Sequence, residues 1–193
     1  MQTLSTYRKY IVTSICGVVM AFSVSFQASA ADKLAPAALD ALFSTLADPN
    51  SKDWAAAERR IEADWSNSGS PAFDFLLQRG RDAMAAGDLP AAIEHLTALT
   101  DQAPDFAEGW NARATAYYLA GLYGPSISDI QQVLRLEPRH FGAIAGLGLI
   151  LEETDKKATA MAAFRRSLAL NPHQDGIRKA LEALEKAAGG TSL

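Results

Sequence analysis

The chain has 193 residues, with 18 lysines and arginines against 22 aspartates and glutamates, a net charge of −4 and 49% hydrophobic residues. That balance suits one modest globular unit and disfavours a nucleic-acid partner, because an acidic surface repels phosphate. Its single cysteine, Cys16, leaves no material for a disulfide framework or a cysteine metal site.

The amino end reads as a targeting segment. Arg8 and Lys9 precede an apolar run from Ile11 to Phe26 and then Ala28-Ser29-Ala30, the order of a secretory signal peptide with cleavage between Ala30 and Ala31. The run is shorter than the ~20 residues that span a bilayer comfortably, so a retained anchor is the competing reading and a cleaved signal the expected one. Cleavage removes Cys16, Arg8 and Lys9 and no acid, which takes the net charge from −4 to −6. The expected location is the bacterial periplasm, with no membrane span after cleavage.

Residues 31–70 form a predicted helical hairpin. Leu39, Leu42, Phe43 and Leu46 stripe its first helix, and Trp54, Ala57, Ile61 and Trp65 its second, with Asp48-Pro49-Asn50 as the turn. The pair reads as a decayed copy of the units that follow. Residues 65–71 are a short polar connector.

From residue 71 the chain repeats. Pro104, Pro138 and Pro172 lie 34 residues apart, and each follows an apolar helical stripe: Ile93, Leu96 and Leu99; Ile127, Ile130, Val133 and Leu134; Met161, Phe164 and Leu168. Each unit begins with another helix. In the middle unit Trp110, Ala114, Tyr117 and Ala120 share one face, which is expected to be buried, and Gly121 ends that helix before Gly124-Pro125 opens the next. Gly87 holds the place of Gly121 one period earlier. After Pro172 a helix over about 174–187 carries Ile177, Leu181 and Leu184 on one side and charges on the other, as a terminal cap requires, before the tail 189–193.

Around this period the sequence resembles the tetratricopeptide repeat family, whose pattern W-x2-L-G-x2-Y, A-x3-F, P is shared among the copies. Trp110, Ala114 and Tyr117 carry it in the middle copy. Gly80 and Ala92-x3-Leu96 carry it in the first, and Gly148 and Ala160-x3-Phe164 in the third. The resemblance implies an all-α, right-handed solenoid of antiparallel helix pairs, with repeats over 71–104, 105–138 and 139–172 and a cap over 173–193. Arg79 and Arg113 stand where the family has Leu, which calls for snorkelling side chains or for acids such as Asp101 and Asp129. Ser126 replaces the small Ala at the helix contact.

No catalytic constellation emerges, and no cofactor is expected. His95, His140 and His173 do not converge in sequence: His95 lacks the second histidine of H-E-x-x-H, and the other two sit in inter-repeat turns and are expected to line solvent. Gly142, Gly146 and Gly148 lie within a predicted helix, where close helix packing explains them better than a dinucleotide loop. Glu152-Glu153 point apart on a helix and make no acid/base dyad.

What remains is the groove that, by the resemblance, the first helices of the repeats line. The register places Asp74, Leu77, Arg81 and Met84, then Glu108, Asn111, Thr115 and Tyr118, then Ala145, Leu149 and Glu152 on it. The implied function is a non-enzymatic scaffold for a protein or peptide partner. Some family members grip a terminal carboxylate with lysine, arginine and asparagine, whereas this set has no lysine and only Arg81 as a cation, so neutral or basic segments are expected. Two alternatives stay open: a module that dimerises through Trp54, Trp65 and the first hairpin, and a histidine-dependent metal binder.

Overall fold

The computed structural model describes residues 33–189. The apolar run 11–26, the cleavage position after Ala30 and the last four residues lie outside the described residues. Within them the regular structure is helical: α1 (Pro36–Ala47), α2 (Trp54–Trp65), α3 (Pro71–Ala85), α4 (Leu89–Gln102), α5 (Ala107–Leu119), α6 (Tyr123–Leu136), α7 (Phe141–Glu153), α8 (Lys157–Leu170) and α9 (Asp175–Gly189). None of these is long and apolar enough to cross a membrane.

The 34-residue period is a steric device. In each of the pairs α3/α4, α5/α6 and α7/α8, a small residue on the first helix receives a large one from the second. A Cβ built on Gly80 would lie 2.4 Å from Leu96 Cγ, and one on Gly148 would lie 2.4 Å from Phe164 Cε1. Ala114 and Ile130 take the same places in the middle pair and are both buried. Ala92, Ser126 and Ala160, again 34 apart, are buried on the second helices. Ser126 fits because its hydroxyl donates to the Ala114 carbonyl at 2.7 Å, so the departure from Ala leaves no polar atom unpaired.

The turns repeat as well. Gly87 (φ +77) and Gly121 (φ +71) supply left-handed residues after α3 and α5, and Asp155 (φ 58) does so after α7, where the sequence has no glycine. Pro125 lies inside the first turn of α6, which starts at Tyr123, two residues before the position the Gly-Pro pair suggests. On α5 the deeply buried residues are Glu108, Gly109, Ala112, Ala114 and Ala116. Trp110 and Tyr117 are half-buried and Ala120 is exposed, contrary to the expectation that all three share a buried face. Trp110 sits at the margin because its indole donates to the Pro104 carbonyl at 2.8 Å, a contact available only at the inter-repeat turn.

The hairpin α1–α2 lies across the inter-repeat turns and does not extend the stack ahead of α3. The ring of Trp65 stacks on His140 (4.1 Å between centroids, 13° between planes), and Trp54 stacks on His173 (4.4 Å, 9°). The tryptophans are three helical turns apart, about 16 Å at 1.5 Å per residue, so α2 spans two successive turns. Polar contacts follow the same line: Asn171 Nδ2 donates to Glu58 at 2.6 Å, Arg139 pairs with Asp40 at 2.6 Å, and His173 Nε2 lies 3.2 Å from the Asp48 carbonyl. Phe43, Leu46, Ala57, Ile61 and Trp65 form one core cluster with Phe141, and Leu170 packs on its edge. The two-stripe hairpin has too little surface to bury itself alone, and these turns offer the aromatic faces it needs.

Candidate functional site

Helices α5 and α7 run side by side with α6 beneath them, and a cleft opens between them. Asn111, Thr115, Tyr118 and Leu119 form one wall, Gly142, Ala145, Gly146 and Leu149 the other, and Ser126 and Ile130 the floor, enclosing about 260 Å³. The walls are mostly apolar. At Asn111 and Gly142 the cleft meets a second chamber of about 610 Å³, roofed by Arg59, Glu62, Trp65 and Ser66 of the hairpin and lined by Arg81, Glu108 and His140.

The register brings Asn111, Thr115, Tyr118, Ala145 and Leu149 together on the cleft, and Arg81, Glu108 and Asn111 on the chamber. The others lie elsewhere. Leu77 is 2% exposed and belongs to the core cluster of α3, α4 and α5, so it is corrected from groove to core. Met84 packs against the same cluster. Asp74 accepts from both the backbone N–H (2.8 Å) and the hydroxyl (2.6 Å) of Ser68, and so fastens the connector. Glu152 is half-buried at the end of α7. In the first repeat Leu77 and Met84 turn towards α4 and α5 and Asp74 towards the connector, which leaves Arg81 as the residue of that repeat on the chamber.

Glu108 is the electrostatic centre of the chamber. Arg81 donates to it at 2.5 Å, Asn111 at 3.1 Å, and His140 Nε2 lies 3.1 Å away. His140 Nδ1 accepts from the Ala143 N–H, capping α7, so its other nitrogen carries the proton and donates to Glu108. Burial alone pushes the Glu108 carboxyl up. The hydrogen bond from His140 and the guanidinium of Arg81 outweigh it and hold the group below its ordinary value. His140 is therefore buried and engaged, not solvent-lining as the sequence suggested. Arg81 is spent on Glu108 and on Ser66 (3.2 Å), so it is no free cation for a ligand.

At the other end of the cleft the Tyr118 hydroxyl donates to Glu153 at 2.5 Å, and the Tyr123 hydroxyl donates to the second oxygen of the same carboxylate. The bond to Glu153 pushes the Tyr118 phenol up to about 12. The two phenols in turn hold the Glu153 carboxyl below its ordinary value. Neither Tyr123 nor Glu153 was singled out for the groove by the register, because Tyr123 starts a second helix and Glu153 ends a first one. On the flank, Arg113 makes two bonds to Asp129 (2.7 and 2.9 Å) and lies over the Trp110 ring, which settles the choice of acid in favour of Asp129. Arg79 is exposed.

Known proteins share this architecture. A TPR repeat-containing protein of Rhizobium etli is 38% identical over 155 residues, covering 78% of this chain and 75% of the relative. Small glutamine-rich tetratricopeptide repeat-containing protein 2 of Mycosarcoma maydis is 26% identical over 117 residues, but those make up only 33% of its length. Among solved structures, the first TPR domain of Spaghetti bound to the HSP90 peptide SRMEEVD superposes with a TM-score of 0.57 at 22% identity, over 60% of this chain and 94% of that one. MamA does so with 0.56 at 18% identity, over 79% and 84%. The sequence model of the tetratricopeptide repeat matches residues 77–125 and 126–175, about half of the chain, and with the Rhizobium relative it shows that this protein belongs to the tetratricopeptide repeat family.

Proposed function

We propose that this chain is a non-enzymatic scaffold that binds a peptide or protein segment along the α5/α7 face of its repeats, and that it works in the bacterial periplasm after removal of residues 1–30. The observation that carries the binding reading is the open cleft between α5 and α7, where Asn111, Thr115, Tyr118 and Leu149 are brought to one surface. A cleft of apolar walls with an amide at one end and a phenol at the other suits a ligand that needs one buried side chain and a few backbone hydrogen bonds. The Spaghetti domain bound to the HSP90 peptide is a precedent for peptide binding by a domain of this architecture. Export rests on the order of charge, apolar run and Ala-Ser-Ala at the amino end.

The test is crosslinking in the cell, identification of captured partners by mass spectrometry, and calorimetric titration of the partner with the Asn111→Ala/Tyr118→Ala double variant. The expected loss is about 1 kcal/mol or more per residue. Undiminished affinity moves the binding surface away from the cleft. Amino-terminal sequencing of the exported protein checks the mature start at Ala31, and a full-length species held in the membrane fraction at high salt would make the segment an anchor.

A further inference from the structure

The glycines of α7 divide into two kinds. Gly148 is required by packing, since a Cβ there would strike Phe164 at 2.4 Å. Gly142 and Gly146 are not: a Cβ on Gly146 would meet only Ile130 Cδ1 at 3.9 Å, and one on Gly142 would meet the His140 ring at 3.6 Å, both ordinary contacts. Helix α7 thus bears two helix-weakening residues, one turn apart, whose absent side chains leave the cleft open. What they leave is about 260 Å³ of largely apolar space, floored by Ile130 and walled by Leu149 and Tyr118.

The cleft ends at a fixed negative charge. Glu153 is gripped by two phenols, one of which, Tyr118, is itself a cleft wall. Those bonds orient the carboxylate without neutralising it, and among the described residues it pairs with no cation. The groove arginine, Arg81, is committed to Glu108 at the far end. Apolar cavity and oriented anion therefore lie next to each other, with one side chain between them.

We propose that the α5/α7 cleft is an anchor site for a basic-apolar peptide segment, one that inserts a leucine-sized side chain over Gly142 and Gly146 and sets a lysine or arginine about two residues away against the tyrosine-held Glu153. This rests on the groove reading above and narrows it. Two residues of extended chain cover about 7 Å, the length of the tyrosine side chain that separates cavity from carboxylate. An acidic or carboxylate-terminated segment is repelled at the same place.

The experiment uses the mature full chain and two short acetylated, amidated peptides, Ser-Lys-Gly-Leu-Gly-Lys-Ser and Ser-Glu-Gly-Leu-Gly-Glu-Ser, followed by methyl NMR titration. The lysine peptide is expected to shift the methyl signals of Ile130, Leu149 and Ile150 and to bind about tenfold or more tightly than the glutamate peptide. Glu153→Gln should bring the two peptides within about threefold of each other, and Gly146→Leu should abolish the shifts while the melting temperature stays level or rises. Equal affinities in the parent, no shift with either peptide, or unchanged binding in a normally melting Gly146→Leu protein would each overturn the proposal. Thr115→Arg is the second variant should Gly146→Leu fail to fold: it adds a cation on an exposed wall position and must weaken the lysine peptide. If the cellular partner loses affinity with Asn111/Tyr118 changed but the peptides ignore the cleft, the groove reading stands and this one falls. A partner indifferent to both sets removes both.

Discussion

Arg113 and Asp129 show what a charge is doing between two stacked helices. Their side chains are only 12% and 6% exposed, and both Asp129 oxygens are met by the guanidinium, so the desolvation of each is answered by the other and by the Trp110 face. Removing one partner leaves a buried uncompensated charge. Asp129→Ala should therefore cost roughly 3–5 kcal/mol in urea unfolding, whereas replacing both residues by apolar ones of similar volume should recover most of it. Glu108 makes a prediction in pH. Its folded-state pKa is depressed, so its contribution is fully present above the ordinary glutamate value of 4.5 and is lost as pH falls through the lower folded value. The melting-temperature gap between the parent and Glu108→Gln should accordingly be widest near neutrality and close on acidification below that value. A gap independent of pH would mean that Glu108 acts through shape alone.

At the scale of the helix, the same residue type does opposite work on α7. Gly148→Ala should destabilise by about 1–3 kcal/mol, since the flat Phe164 ring, fully buried, has no free volume to retreat into. Gly146→Ala should stabilise by up to about 1 kcal/mol through helix propensity, because its Cβ meets nothing closer than 3.9 Å. Thermal melts of the two single variants decide this, and equal signs would refute the division. The tyrosine bracket on Glu153 behaves likewise as an element-level feature: Tyr118 comes from α5, Tyr123 from α6 and the carboxylate from α7, so three helices share one contact.

For the whole molecule, the decisive feature is the hairpin that returns to the far repeats. Trp65 is the hinge pin: 7% exposed, packed on His140, Phe141 and Phe43, with an indole Nε1 that is buried without a hydrogen-bond partner. Trp65→Ala should cost about 3–5 kcal/mol and speed hydrogen exchange in both α1–α2 and the start of α7, while Trp65→Phe keeps an aromatic face, drops the orphan N–H and should cost far less. Exchange confined to α1–α2 would mean that the hairpin merely rests on the turns. Trp54 and Trp65, through which the alternative reading would pair two copies, stack instead on His173 and His140 of the same chain. The sequence by itself determined the helices and the 34-residue register, and it marked Gly80, Leu96, Ala114, Ile130, Gly148 and Phe164 as recurring positions that the structure then pairs. All of these follow from local periodicity and from steric complementarity at fixed spacing, and every copy restates them. It could not determine where the hairpin docks, that Leu77 is core, that His140 is buried or which glycines are left uncovered. The docking of the hairpin and the covering of His140 depend on contacts between residues about 75 to 125 positions apart, which occur once, obey no period, and are chosen only when the apolar face of α2 finds the stacked turns that can cover it, whereas Leu77 and the glycines are decided by how neighbouring helices pack.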